Sequence, residues 1–297
     1  MEKNVFARNA NKIVLLAVIA ASFSGIFGKL AAEAPAMAIG FYRLTFALPI
    51  FAVLTLLNHR KELFSLSGKQ VAGCAVAGVF LAGHFFSWFT ALKYTTVASA
   101  VVLSTTHPIM ILLITTFIMK KKANMKCVIG VLVAFVGGVI VSGVDYSMSI
   151  MALFGDVMAM FTALFMGLYF LAGNKYRGGI NAAVYVFLVF FFCWVTFGIG
   201  MLVTGTPFTG YRQDTMMWIF VMAMVCQIGA HAVFNWCLGY TSALYVSTME
   251  NLETFIATIV AIFLFAEIPT PGQIIGGLTI VAGVVYYTRH EGDNADV

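Results

Sequence analysis

Gly83-His84-Phe85-Phe86-Ser87-Trp88-Phe89-Thr90-Ala91-Leu92-Lys93-Tyr94-Thr95 is echoed 146 residues later by Gly229-Ala230-His231-Ala232-Val233-Phe234-Asn235-Trp236-Cys237-Leu238-Gly239-Tyr240-Thr241. Gly, Leu, Tyr and Thr recur in place. The same offset carries Lys29 onto Lys175, Phe117 onto Phe263, Ile129-Gly130 onto Ile275-Gly276, Leu132 onto Leu278 and Gly137 onto Gly283. The chain therefore reads as a duplication. If each copy holds five membrane spans, an odd number, the two copies face opposite ways across the bilayer, an arrangement typical of secondary transporters.

Composition supports a lipid setting. Apolar residues make up 61% of the 297 and charged residues 10%, against roughly 45–50% and about 25% in soluble domains. Mean hydropathy is +0.96. A spanning helix needs about 20 largely apolar residues. Ten stretches qualify: 12–32, 36–58, 69–92, 95–119, 124–143, 152–173, 181–204, 215–239, 242–266 and 271–288. The expected fold is an all-α integral membrane protein of ten transmembrane helices, arranged as two inverted five-helix repeats over residues 1–146 and 147–297. Strands are excluded because open sheet edges go unsatisfied in lipid. Connections are short and leave no room for a soluble domain. The first apolar run ends in Lys29 without a small-residue cleavage pattern, so it is expected to remain as a span rather than a signal peptide.

Basic residues set the expected orientation. With the N-terminus inside, Lys3, Arg8, Lys12, Arg60, Lys61, Lys69, Lys120, Lys121, Lys122, Lys126, Lys175, Arg177 and Arg289 fall on the cytoplasmic side, thirteen of the seventeen Lys and Arg. Lys29, Lys93 and Arg212 fall outside, and Arg43 within a span. The positive-inside rule selects both termini cytoplasmic in the cell's inner (plasma) membrane. The formal charge of +5 thus reports orientation, not nucleic-acid binding. Five cysteines (Cys74, Cys127, Cys193, Cys226, Cys237) lack any CxxC pair and read as small apolar residues, with no metal, cofactor or disulfide implied. Gly130 and Gly137, matched by Gly276 and Gly283, lie seven residues apart on nearly one helical face. Such faces let backbones approach, as static packing within the chain or, less favoured, as a sliding or dimer surface.

Ionisable groups at bilayer depth cost about 2.5–3.5 kcal/mol each on insertion scales and mark candidate sites. Glu250 and Glu253 share one face of the ninth span, where two carboxylates in low dielectric do not both ionise easily. They suit a proton-coupled carrier or a cationic substrate. His107-Pro108 sits mid-span, and the offset sets His107 against Glu253, with which it could share a proton. Pro108 frees the carbonyl of Ser104. His84 and Trp88 lie four apart on the third span, between Phe85 and Phe89. Their repeat counterparts are Ala230 and Phe234, followed by Asn235 and Trp236. Aromatic walls with a few polar handles describe a small-molecule pocket, although a Trp near a span end is equally an interfacial anchor. Arg43 is expected to pair with Asp156 or Glu267, with a substrate carboxylate or headgroup snorkelling as the alternatives. Asp156 reads as stabilising a helix start, and Glu267 as structural. The chain carries no GxxxxGK[ST], HExxH or GxSxG, so neither an enzyme nor an ATP-driven pump is expected.

Ala91-Leu92-Lys93-Tyr94-Thr95-Thr96-Val97-Ala98-Ser99 and Thr106-His107-Pro108 resemble the first-repeat signature of the drug/metabolite transporter superfamily, EamA-like branch. Asn251-Leu252-Glu253-Thr254 through Leu264-Phe265-Ala266-Glu267 is similar to its second-repeat signature. Gly40-Phe41-Tyr42-Arg43 and Gly155-Asp156 resemble the same branch. Thr254 stands where the family has Pro, so the kink of the ninth span is expected to be lost, and Ala266 stands where it has Gly. The resemblance implies an alternating-access carrier of small polar metabolites, with Arg43, Asp156, Glu253 and Glu267 serving fold or general mechanism. Expected substrate contacts are Glu250, Glu253, His84, Trp88, His107, Asn251, Arg43 and Asn235, with Glu253, Glu250 and His107 handling protons. Amino acids or related amines are the first substrate reading, with proton-coupled export. Uptake or exchange of an organic cation held by Trp88 and Glu250 is the second. A passive channel or membrane sensor is the alternative from another class. Partners are a small molecule and the lipid bilayer, with no nucleic acid, in a monomer or homodimer.

Overall fold

The computed structural model describes residues 2–95, 97–122, 124–142, 149–256, 259 and 270–290. Among these residues every regular element is helical. Helices α1 (Glu2–Ala21) and α2 (Ser24–Leu30) are separated by a turn at Ser22-Phe23. They are followed by α3 (Ala36–Asn58), the short α4 (Arg60–Ser65) and α5 (Gly68–Tyr94). Next come α6 (Val97–Ser104), then α7 (His107–Leu113) running into π turns at Ile114–Ile118, and α8 (Met125–Ser142). The rest comprises α9 (Ile150–Tyr176), α10 (Ala182–Thr204), α11 (Gln213–Met222), a π segment (Ala223–Ala232) and α12 (Val233–Cys237). Finally come α13 (Ala243–Glu250), α14 (252–256) and α15 (Pro271–His290).

Polar caps start several of these helices. Ser67 and Gln70 form a reciprocal capping box at α5, Ser149 caps Ala152 N–H of α9 at 3.0 Å, and Asn181 caps Ala183 N–H of α10 at 2.9 Å. Ser242 caps Tyr245 N–H of α13 at 3.0 Å. These side chains satisfy donors that a helix start otherwise leaves orphaned. At the far end of α10, Gly205 takes φ +67°, the left-handed turn that ends a helix at little cost for glycine.

Among the described residues seven helical stretches are long and apolar enough to cross a membrane: Lys12–Leu30, Ala36–Asn58, Gly68–Tyr94, Ala100–Ile118, Ile150–Tyr176, Ala182–Thr204 and Gln213–Cys237. They coincide with seven of the ten expected spans. The fifth is a helix of 18 residues, α8, and the tenth is α15. The ninth is described only as α13 and α14. Most of its remainder, with Ala266 and Glu267, lies outside the described residues, so the expected Glu267 partner of Arg43 does too.

Helix boundaries repeat with the sequence. Shifting α3 by 146 residues gives the bounds of α10, and shifting α6 gives those of α13. Shifting the start of α8 gives that of α15. Packing follows the same pairing: α5 lies along α9 while α1 lies along the π segment, and α3 packs on α10 as α8 does on α15. In the α8–α15 seam a Cβ on Gly283 would come within 2.4 Å of Ala134 N, and one on Gly137 within 2.5 Å of Ile280 N. These glycines are therefore in backbone contact inside one chain, the static use of the small-residue face.

Candidate functional site

Three broken helices meet at one place. The first span turns at Ser22-Phe23, the fourth at Thr105-Thr106 and the ninth at Asn251. The last two breaks are related by the 146-residue offset, since Thr105 and Asn251 are counterparts. The expectation that Thr254 in place of Pro would leave the ninth span unbroken is therefore not met; α13 ends at Glu250 without a proline. Discontinuous helices of this kind bring backbone and polar side chains to the membrane midplane.

A small cavity of about 50 Å³ lies at these breaks. His84 and Trp88 of α5 form one wall, and Ser104, Thr105 and His107 of the α6–α7 junction another. Glu250 and Glu253 face them, with Cys226 and His231 from the π segment. Ser104, His107, Glu250 and Glu253, at which the two repeats disagree, all reach this one space. Trp88 is buried in the cavity wall, a pocket residue rather than an interfacial anchor. Trp236 instead lines a separate apolar cleft and stacks on Tyr240.

His107 organises the polar centre. Its Nδ1 lies 2.9 Å from the Ser104 carbonyl that Pro108 leaves without a helical donor. Its Nε2 lies 2.9 Å from Glu250 Oε2 and 3.2 Å from the Ser247 carbonyl. A carbonyl only accepts, so Nδ1 carries a proton and donates. Nε2 likewise faces a carbonyl and a carboxylate oxygen, so a proton in the contact with Glu250 sits on Nε2 for as long as the Ser247 contact holds. The expected sharing of a proton between His107 and Glu253 is thus replaced by a His107–Glu250 pair. Glu253 is half-buried on the cavity side and has neither a hydrogen bond nor an ion pair among the described residues.

His84 directs Nδ1 at the Thr162 carbonyl, 3.1 Å away. Its ring centre is 5.9 Å from that of His231. In an α-helical register the counterpart of His84 is Ala230. The i→i+5 bonding of Ala223–Ala232 takes an extra residue per turn, so side chains lag behind the α-helical register and His231 faces the cavity instead. In the sequence His231 stands within the second-repeat stretch and was given no role. Its placement one residue from the counterpart of His84 was the available signal.

Arg43, Asn235 and Asn251 surround the cavity without lining it. The Arg43 guanidinium is fully buried and lies 4.3 Å over the Phe85 ring, whose far neighbour is the edge of His231 at 4.8 Å. None of its three nitrogens has a hydrogen-bond partner. The expected pair with Asp156 does not form: Asp156 accepts from Thr95 Oγ1 at 2.7 Å. It sits in the second turn of α9, so the helix start is stabilised by Ser149 instead. Both amide atoms of Asn235, Asn251 and Gln227 are buried and unpartnered, as is the Tyr169 hydroxyl. Buried polar atoms are ordinarily satisfied, so their concentration here sets this region apart from the packed apolar core. All five cysteines are free and buried. Among the described residues no group of three His, Cys, Asp or Glu could hold a metal.

Elsewhere Phe27 of α2 stacks on Trp218 of α11 at 6.0 Å. A separate cleft of about 500 Å³ is lined by residues of α5, α7 and α9, with Lys121 and Lys175 among them. Ile111, which lines this cleft, is one helical turn from His107.

The sequence profile of the EamA-like transporter family matches residues 9–143 and again 153–289. A relative from Clostridium kluyveri, named an uncharacterized transporter, is 24% identical over 95% of this chain and 94% of its own. One from Archaeoglobus fulgidus with the same name is 25% identical over 85% of this chain and 88% of its own. A solved crystal structure superimposes with a TM-score of 0.76, covering 97% of this chain and 99% of that one at 18% identity; that likeness speaks for the fold. The chain is a multi-pass, all-helical membrane protein.

Proposed function

We propose that this chain, which belongs to the EamA-like transporter family, is a secondary carrier that moves amino acids or related amines by alternating access, with proton-coupled export. The observation that carries this reading is the meeting of three helix breaks at one cavity lined by Glu250, Glu253, His84, His107 and His231. A carboxylate without a partner, Glu253, can hold an ammonium or a proton. The His107–Glu250 pair holds a second exchangeable proton beside it. At about 50 Å³ the cavity admits water but not an amino acid, since ligand sites run to about 300–1,000 Å³. Loading therefore requires the walls to part, as a carrier's must, and the cleft beneath α7 offers the route.

The carrier is built in this reading from two inverted five-helix halves, 1–146 and 147–297, of ten spans in all. Supporting it are the shared helix bounds, the reciprocal packing and the doubled family match. The basic residues place both termini on the cytoplasmic side of the plasma membrane.

Reconstitution in liposomes tests the site. Glu253→Gln and Glu250→Gln are each expected to cut substrate flux by at least about tenfold, 1.4 kcal/mol, and to flatten its pH dependence. Flux and pH profile intact in both variants would show the site to be elsewhere. A second reading, an organic-cation carrier, is favoured by the burial of Trp88 beside the carboxylates. Under it Trp88→Leu weakens quaternary amines far more than neutral ligands. Trans-stimulated flux separates either carrier from a channel.

A further inference from the structure

We propose that Arg43 is the anchor for a substrate carboxylate, so that the cargo is a zwitterionic amino acid rather than a simple amine. This inference rests on the carrier reading above and narrows it.

The starting point is an energetic imbalance. Arg43 is fully buried at bilayer depth, and its guanidinium has five N–H donors but no acceptor. A structural arginine in such a place is paired, because leaving a buried charge uncompensated is strongly unfavourable. The face of Phe85 at 4.3 Å offsets only part of that cost. Among the described residues the acids that could serve as partners are otherwise engaged, and Glu267 lies outside them. Asp156 is bonded to Thr95, and Glu250 is paired with His107. Glu253 is near enough to act on Arg43 electrostatically, yet it forms no bond with it and lines the cavity.

The groups around the guanidinium fit a two-oxygen anion. Tyr169, which also lies within the field of Arg43, carries an unpartnered buried hydroxyl. The Asn235 amide stands within hydrogen-bond reach of the Tyr169 hydroxyl, although neither completes a well-aligned bond. A planar guanidinium with a phenol and an amide nearby offers the donors that bind a carboxylate in bidentate fashion. Glu253 is the matching acceptor for an ammonium group. A cation site and an anion site so close together suit a molecule whose two charges are separated by a single carbon. Phe85 touches both Arg43 and the cavity-lining His231, so movement of its ring as the walls part would uncover the guanidinium.

The test compares each proteinogenic amino acid with the amine that has hydrogen in place of its carboxylate, and with its methyl ester. Binding is measured on the purified full chain by ligand-induced thermal stabilisation and titration calorimetry. The wild type is expected to bind at least one amino acid about tenfold or more tighter than its amine and ester, 1.4 kcal/mol. Arg43→Gln should abolish that difference, while Arg43→Lys should retain part of it. Amines and esters binding as well as amino acids to the wild type would overturn the anchor and leave the carrier reading standing. No binding of either class would overturn both. These ligand comparisons need no variant, so poor folding of Arg43→Gln does not remove the test. Should Glu253→Gln restore amino-acid binding to Arg43→Gln, Arg43 is only the counter-ion of Glu253 and the proposal fails.

Discussion

The α8–α15 seam and the cavity at the broken helices occupy the same bilayer and follow opposite rules. Along the seam Gly130, Gly137 and Gly283 bring two backbones into direct contact. At the centre Arg43, Tyr169, Gln227, Asn235 and Asn251 hold buried polar atoms that nothing in the protein satisfies. In lipid, close packing and satisfied backbone are what hold helices together, so the seam is where stability resides. The unsatisfied centre is destabilising by itself and persists where it serves a ligand or a proton. The contrast separates residues that hold the fold from those that work within it, and four substitutions probe it.

The largest effect is expected at the seam. Gly283→Val places a Cβ where Ala134 N would lie 2.4 Å away. It should destabilise by about 3 kcal/mol, the upper range for overpacking, visible as a large loss of melting temperature in detergent. A melting temperature equal to the wild type would mean that α8 and α15 are not in backbone contact.

His107→Leu is expected to cost about 2 kcal/mol, because it strands the Ser104 carbonyl and a buried carboxyl together. Adding Glu250→Gln should cost less in this background than in the wild type. Additive losses in that double-mutant cycle would refute the pairing.

Asn235→Leu should act in the reverse sense. Replacing an unpartnered buried amide with an apolar group of similar size is expected to raise stability by about 1 kcal/mol while slowing transport. A lower melting temperature would show that the amide has a partner after all. The smallest effect belongs to the exposed ion pair of Arg212 with Glu33, at 3.4 Å. Arg212→Ala should leave both melting temperature and flux unchanged, since solvent-exposed pairs contribute little; a clear loss of flux would make this contact part of a gate.

Much of the architecture could be read from residues alone. Hydropathy located seven spans that recur as long helices, and the 146-residue register anticipated that α3 and α10, or α6 and α13, would share their bounds. His84, Trp88, His107, Glu250 and Glu253 were singled out as polar or aromatic groups at depth, and all five line one cavity. Arg43, Asn235 and Asn251 stand behind its wall. The partnerships were less legible. His107 takes Glu250 rather than Glu253 because the breaks at Thr105-Thr106 and Asn251 change the helical phase on both sides. Nothing in Thr254 announced a break at Asn251, since the usual signal, a proline, is absent.

The all-helical class, the 146-residue recurrence and the list of titratable groups in lipid follow from the chain read in order, because hydropathy and repetition are local properties. Which of those groups meet is set by the folded arrangement. His231 reaches His84 through the widened turns of a π segment, and among the described residues Arg43 has no acidic partner, since Asp156 is held by Thr95. Both outcomes depend on helix phase and on neighbours from distant parts of the chain, which no local pattern encodes.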